Sequence, residues 1–454
     1  MAFTSVNPAT AEKIWACDAC DSADIERALA ETALATPPWA ATPLAERCRL
    51  LQRAAEVLRN NIEGLAGLIT MEMGKLRAEA RAEVQKCALA CDYYAEHAPA
   101  FVADELIPSD AGKSLVAYQP LGTVLAIMPW NFPLWQVFRF AAPALAAGNT
   151  ALLKHASNVP QCALAIEKVF GDAGFPRGVF RTLMIRAAQT EQVIADARVH
   201  AVTLTGSEPA GRQVAAAAGT HLKKSVLELG GSDPFIVLDD ADLGLTVRTA
   251  LTSRFQNAGQ SCIAAKRFIV VDDIADSFLA QFKCEVEALR PGDPRDDSTT
   301  LAPMARGDLR DELHSQVSDS IARGAVAVSG CAPLPGPGYY YAASILDHVM
   351  PGMPAYEQEL FGPVAAVIRV RDEAEALAVA NASRFGLGGS VWTQDSARGK
   401  RLARQVQCGA CFVNGLVKSD PRLPFGGIKA SGYGRELSHH GLREFVNAKT
   451  IWIR

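Results

Sequence analysis

Residues 123–154, TVLAIMPWNFPLWQVFRFAAPALAAGNTALLK, carry the pattern that decides the fold. TVLAIM (123–128) and TALLK (150–154) are short apolar runs on either side of an amphipathic segment. A strand, a helix and a strand in that order predict two parallel neighbours in one sheet. The alternation continues through VFRTLMI (179–185), AVTLT (201–205) and SVLEL (225–229). The fold class is therefore α/β, with a mostly parallel sheet covered on both faces. Ligands bind such sheets beyond the carboxyl ends of the strands. That rule singles out Trp130 and Asn131, the stretch from Lys154 to Ser157, Gly206 with Ser207 opening a helix, and Glu228 ahead of Gly230 and Gly231.

A second alternation starts near Pro234, with PFIVLDD, a helix to about Phe255 and then KRFIVV, and it continues past Pro363. It predicts a second α/β domain. Upstream, the first 100 residues read as helical, with Thr42 as an N-cap, Pro43 at the first helical position and Cys48, Leu51, Ala55 and Leu58 at helical spacing. Segments 105–119 and 445–454 fit neither sheet and predict a small β extension for oligomerisation. The expected division is a Rossmann-like first domain (1–104 and 120–229), the second α/β domain (230–427) and a return to the first domain (428–444).

Composition narrows the function. Lys plus Arg number 45 against 49 Asp plus Glu, so the net charge of -4 offers no basic field for nucleic acid or an anionic membrane surface. With 49% hydrophobic and 21% charged residues, the chain should fold throughout. No window of 18 apolar residues is uninterrupted, since the best stretch, 140–153, contains Gly148, Asn149 and Thr150. The start has no basic segment followed by an apolar one, and eleven cysteines is an odd count, so the expected compartment is the reducing cytoplasm.

Several motifs carry two meanings. GSEPAG (206–211) has P-loop glycine spacing but continues Arg212-Gln213, so it is either a phosphate-holding helix start or a simple cap. The C-x-x-C units Cys17/Cys20 and Cys408/Cys411 lie far apart and predict no metal site. Cys262 differs, because FQNAGQSCIAAKR (255–267) is a polar, glycine-containing loop in which a thiol is partly exposed and ionisable. Glu228 ends an apolar strand before two glycines: a buried general base of raised pKa, or a carboxylate paired with a lysine.

In this order the motifs resemble the aldehyde dehydrogenase superfamily: NPAT (7–10), PWNFP (129–133), TGSEPAG (205–211), LELGG (227–231), GQSC (259–262), EQELFGPV (357–364) and PFGGIKASGYGRE (424–436). Within it, ELGGSDPFIVLDDADL (228–243) and GRELSHHGLREFVN (434–447) are most similar to a short bacterial branch of succinate-semialdehyde dehydrogenases.

The resemblance implies that Cys262 attacks an aldehyde as thiolate, that the Asn131 amide and the Cys262 backbone N–H hold the oxyanion, and that Glu228 activates water to hydrolyse a thioester after hydride transfer. It implies a nicotinamide dinucleotide held by Trp130, Lys154, Gly206, Ser207, Glu359 and Phe361. Ser157 replaces the glutamate of many NAD-preferring members, which leaves NAD and NADP both admissible. Arg139 and Ser419 match the pair that holds a substrate carboxylate, whereas Gln256 stands where a second arginine is usual, with Arg254 two residues away as a candidate replacement. The expected assembly is a homodimer or homotetramer. The resemblance makes 1–104 with 120–229 the cofactor-binding domain and 230–427 the catalytic domain. A dehydrogenase for another small aliphatic or aromatic aldehyde, a coenzyme A-acylating relative, which Glu228 argues against, and a binding protein without catalysis are the competing readings.

Overall fold

A computed structural model describes residues 3–454 of the chain. Residues 1 and 2, the start of the expected cofactor-binding unit, lie outside the described residues. Thr123–Met128 and Thr150–His155 are parallel neighbours joined through the helix Trp135–Ala146, as the opening alternation predicts. They sit inside a six-stranded sheet ordered Gly432–Tyr433, Lys224–Glu228, Val199–Thr205, Thr123–Met128, Thr150–His155, Phe180–Thr182. Gly432–Tyr433 is its antiparallel edge, so the chain does return to this sheet near its end.

The second alternation forms a seven-stranded sheet ordered Val326–Ser329, Ser344–Asp347, Val364–Val370, Ala265–Val271, Asp233–Val237, Gly388–Trp392, Ala410–Val413. Its pairs are parallel except at the Val326–Ser329 edge. A three-stranded sheet joins Val446–Ile453, Lys113–Pro120 and Glu105–Leu106. Leu106, Ile107, Trp452 and Ile453 are exposed there.

Two local expectations fail near the start. A hairpin, Phe3–Asn7 with Glu12–Cys17, precedes the helices, and its first strand buries alternate residues. Thr42 is not an N-cap: the helix Ser22–Ala41 runs on through Pro37 and Pro38, and the Thr42 hydroxyl donates back to the Pro38 carbonyl at 2.9 Å. The next helix, Leu44–Asn60, starts without a side-chain cap.

Packing fixes the setting of the site. The helices Leu44–Asn60, Arg77–Phe101 and Trp135–Ala146 contribute Leu51, Tyr94 and Phe138 to one core with Val124 and Leu153 of the sheet. Every residue of Trp135–Ala146 is buried, so Arg139 must find its counter-charge inside the protein.

Candidate active site

Val199–Thr205 and Thr150–His155 flank Thr123–Met128 on opposite sides. The strand order reverses there, and a crevice opens between the carboxyl ends of Thr123–Met128 and Val199–Thr205. It is a cleft of about 490 Å³ walled by Trp130, Asn131, Gly206, Ser207, Gly230, Glu359, Phe361 and Cys262.

The wall suits a dinucleotide. Ser207 caps the helix Glu208–Thr220 without a side-chain hydrogen bond, so its hydroxyl and the first-turn N–H groups are open to a phosphate. A Cβ at Gly230 would meet the Glu359 carboxylate and push it aside. Glu359 is held by the Gly231 N–H and by Lys266 Nζ, each at 3.1 Å. Phe361 meets Trp130 edge-on, with centroids 5.8 Å apart. Lys154 and Ser157 do not wall this cleft; Lys154 lies in the adjacent strand, Thr150–His155, and Ser157 just past its end. Ser157 is exposed and Lys154 half-buried, and burial, reinforced by Arg186, pulls the Lys154 ammonium below its ordinary pKa.

Cys262 stands on a strained loop. Asn257, Ala258 and Gly259 all have positive φ, at 56°, 51° and 73°. A non-glycine residue in the left-handed region costs about 1–2 kcal/mol, so surrounding contacts must hold the turn. Asn257 Nδ2 donates to the Asn131 carbonyl at 2.9 Å and to the Gln260 carbonyl at 3.0 Å, and its N–H donates to Glu79 Oε1 at 3.0 Å. Arg254 is fully buried and donates to the carbonyls of Ala265, Gly259, Leu360 and Gly362. It therefore clamps the loop and does not replace the arginine missing at Gln256.

Asn131 is buried, and its amide donates to the Gln260 carbonyl at 3.1 Å. A side-chain amide has two protons, so one remains for an oxyanion. Cys262 is half-exposed, as the polar loop predicts, but its charge state differs from expectation. Burial pushes its thiol up to about 12, against the pull of Arg139 and Lys266, with Glu359 and Glu228 pushing the same way as burial. At neutral pH the resting sulfur is a thiol. Glu228 is 2% exposed, pairs with no lysine, and neither carboxyl oxygen has a hydrogen-bond partner among the described residues. Burial first, then the negative charge of Glu436, raises its pKa well above the ordinary carboxylate range.

Cys262 also lines a second cavity of about 200 Å³, with Arg139, Gln256, Ser419, Lys86 and Trp135. The three residues expected at a substrate carboxylate are thus brought together, but Arg139 is not a free cation. It is ion-paired with buried Glu436, donates to Thr205 Oγ1 at 3.3 Å and stacks over Phe425 at 4.6 Å. Its burial on an all-buried helix demands that partner. Gln256 is exposed and uncharged, whereas Ser419 Oγ accepts from Trp135 Nε1 at 3.0 Å and from Lys86 Nζ at 2.7 Å. Lys86, Asn257 and Glu79 escape sequence reasoning. Lys86 reads as one more helix charge beside Cys87, and no local signal turns it inward.

The chain matches the model of the aldehyde dehydrogenase family over residues 1–451. It is 50% identical over 453 residues to a probable succinate-semialdehyde dehydrogenase [NADP(+)] of Synechocystis sp., covering all of both chains. It is also 50% identical over 459 residues to succinate-semialdehyde dehydrogenase [NADP(+)] 1 of Mycobacterium ulcerans, again covering all of both. The crystal structure of succinic semialdehyde dehydrogenase from Streptococcus pyogenes in complex with NADP+ superposes with a TM-score of 0.98 at 39% identity, over 99% of each chain.

Proposed function

This chain belongs to the aldehyde dehydrogenase family, and from that premise we propose that it oxidises succinate semialdehyde to succinate with NADP+, or less readily NAD+, as acceptor. The position of Cys262 carries this reading: it lines both the dinucleotide-sized cleft and the small pocket that holds Lys86, Arg139 and Ser419. The order of the two cavities around one sulfur is what a cofactor and a short acidic aldehyde need.

On the cleft side, Ser207 and the helix start beyond Gly206 would hold the phosphates, Trp130 would flank them, and Glu359 and Phe361 would hold the nicotinamide end. Lys154 and Ser157 would face the adenosine ribose. Ser157 carries no charge to repel a 2′-phosphate, and Arg186 lies close enough to Lys154 to depress its pKa, which favours NADP+. The similarity to relatives named for NADP(+) agrees with that preference. When bound, the nicotinamide accepts the hydride.

The protein's own groups do the rest. With its proton lost to solvent, Cys262 sulfur bonds as thiolate to the aldehyde carbon, and the oxyanion accepts from the Asn131 amide and the Cys262 N–H. Loss of hydride leaves a thioester on Cys262. Glu228, as its carboxylate, takes a proton from water, whose oxygen displaces the sulfur as thiolate and releases the acid. Because burial raises the pKa of both Cys262 and Glu228, and both react deprotonated, turnover should rise with pH.

The six-stranded sheet with its return at 428–444 would be the cofactor-binding domain, and 230–427 the catalytic domain. The sheet of 105–119 and 445–454, with its exposed Leu106 and Trp452, would join copies into a homodimer or homotetramer. No described helix is long and apolar enough to cross a membrane, and the eleven cysteines are free, which suits a cytoplasmic enzyme. Initial rates with succinate semialdehyde, butanal and benzaldehyde, each with NAD+ and NADP+, test the reading. A preference for either uncharged aldehyde would refute the substrate.

A further inference from the structure

We propose that Lys86 is the specificity-determining cation of this site, holding the far carboxylate of the semialdehyde together with the Ser419 hydroxyl; this rests on the substrate reading above. Lys86 and Ser419 face the same pocket as Cys262. Lys86 Nζ donates to Ser419 Oγ at 2.7 Å, and Trp135 Nε1 donates to the same oxygen at 3.0 Å. Two donors fill the acceptor sites of Oγ, so the Ser419 proton is left to donate. An ammonium has three protons, and one of them is engaged here. The subsite therefore presents donors and a positive charge, the complement of a carboxylate.

The other charges around it are already met. Glu83, on the same helix as Lys86, is ion-paired with Lys75 and accepts from the N–H groups of Leu134 and Trp135 at 2.8 and 3.0 Å. Asp420 is paired with Arg422 at 2.6 Å, and Arg139 with Glu436. Among the described residues Lys86 forms no ion pair; its ammonium lies over the Trp135 ring, 4.2 Å from the centroid. Burial, with repulsion from Arg139, pulls it down to about 8 against the opposing pull of Cys87, Glu83 and Asp420. It is a cation short of an anion. The charge missing at Gln256 is thus supplied from the helix Arg77–Phe101.

Lys86→Met, which keeps the aliphatic stem, and Lys86→Arg, which keeps the charge, test this against wild type with succinate semialdehyde and butanal. Lys86→Met should lower kcat/KM for the semialdehyde by about 10- to 100-fold, chiefly through KM, and leave butanal within about twofold. Lys86→Arg should recover part of the loss. An equal loss for both aldehydes, which is what damage to packing would give, overturns the assignment. If wild type prefers the semialdehyde and Lys86→Met keeps that preference, Lys86 alone is refuted; if wild type has no such preference, the substrate reading fails and takes this proposal with it.

Discussion

Replacing Glu228 by glutamine separates the two halves of the reaction. In the resting protein this carboxyl is buried and lacks hydrogen-bond partners among the described residues, and desolvation and Glu436 both disfavour its charge. Glutamine has nearly the same shape and no charge to desolvate, so the melting temperature of Glu228→Gln should hold or rise slightly. What it cannot do is accept a proton from water. General-base catalysis contributes about 10²- to 10⁴-fold, or roughly 3–5 kcal/mol at 1.36 kcal/mol per factor of ten. Bond formation by Cys262 precedes that step, so the variant should release about one reduced cofactor per site in a rapid burst and then slow by that factor. Rapid mixing with fluorescence or absorbance of the reduced cofactor gives burst and steady state in one trace. Sustained normal turnover would show that Glu228 is not the base. Absence of the burst, with the fold intact, would place its role before thioester formation and contradict the sequence of steps.

Other perturbations probe neighbouring groups. Asn131→Ala should lower kcat by about 10²- to 10³-fold with succinate semialdehyde and with butanal alike, since the oxyanion is common to both; steady-state kinetics on the pair checks this. Arg139→Ala leaves Glu436 buried beside Glu228 without its cation, and should destabilise the protein by about 3–5 kcal/mol and impair both aldehydes, read by denaturant unfolding and by kinetics. The ratio of kcat/KM for the semialdehyde to that for butanal should be constant below about pH 8 and fall above it. A lysine whose pKa is depressed to about 8 is charged below that value and neutral above it, whereas the Cys262 and Glu228 titrations affect both substrates and cancel in the ratio. A flat ratio between about pH 7 and 9.5 would remove the charge from substrate selection.

Parts of the site were legible because they follow from short-range pattern. TVLAIM (123–128) coincides with the strand Thr123–Met128, and the rule about carboxyl ends of strands brought Trp130, Asn131, Gly206, Ser207 and Glu228 into view before any side chain was placed. The polar loop around Cys262 likewise announced a residue that is only partly buried. Arg139 was legible, through the family resemblance, as a residue of the pocket, with an ion pair as the alternative, but its partner was not, because Glu436 lies almost at the far end of the chain. Arg254, two residues from Gln256, suggested a replacement that the fold uses instead to clamp the strained turn. Lys86 gave no sign at all.

The amino-acid order alone determined the α/β alternation, the two mostly parallel sheets and the polar loop that bears Cys262, since strand and helix periods are written in neighbouring residues. The tertiary structure decided which charges are met and which are disfavoured: burial raises the pKa of Cys262 and Glu228, Arg139 is paired with Glu436, and Lys86 forms no ion pair among the described residues. Those properties depend on desolvation and on partners that the fold brings within a few ångströms from remote positions, and no local period encodes either.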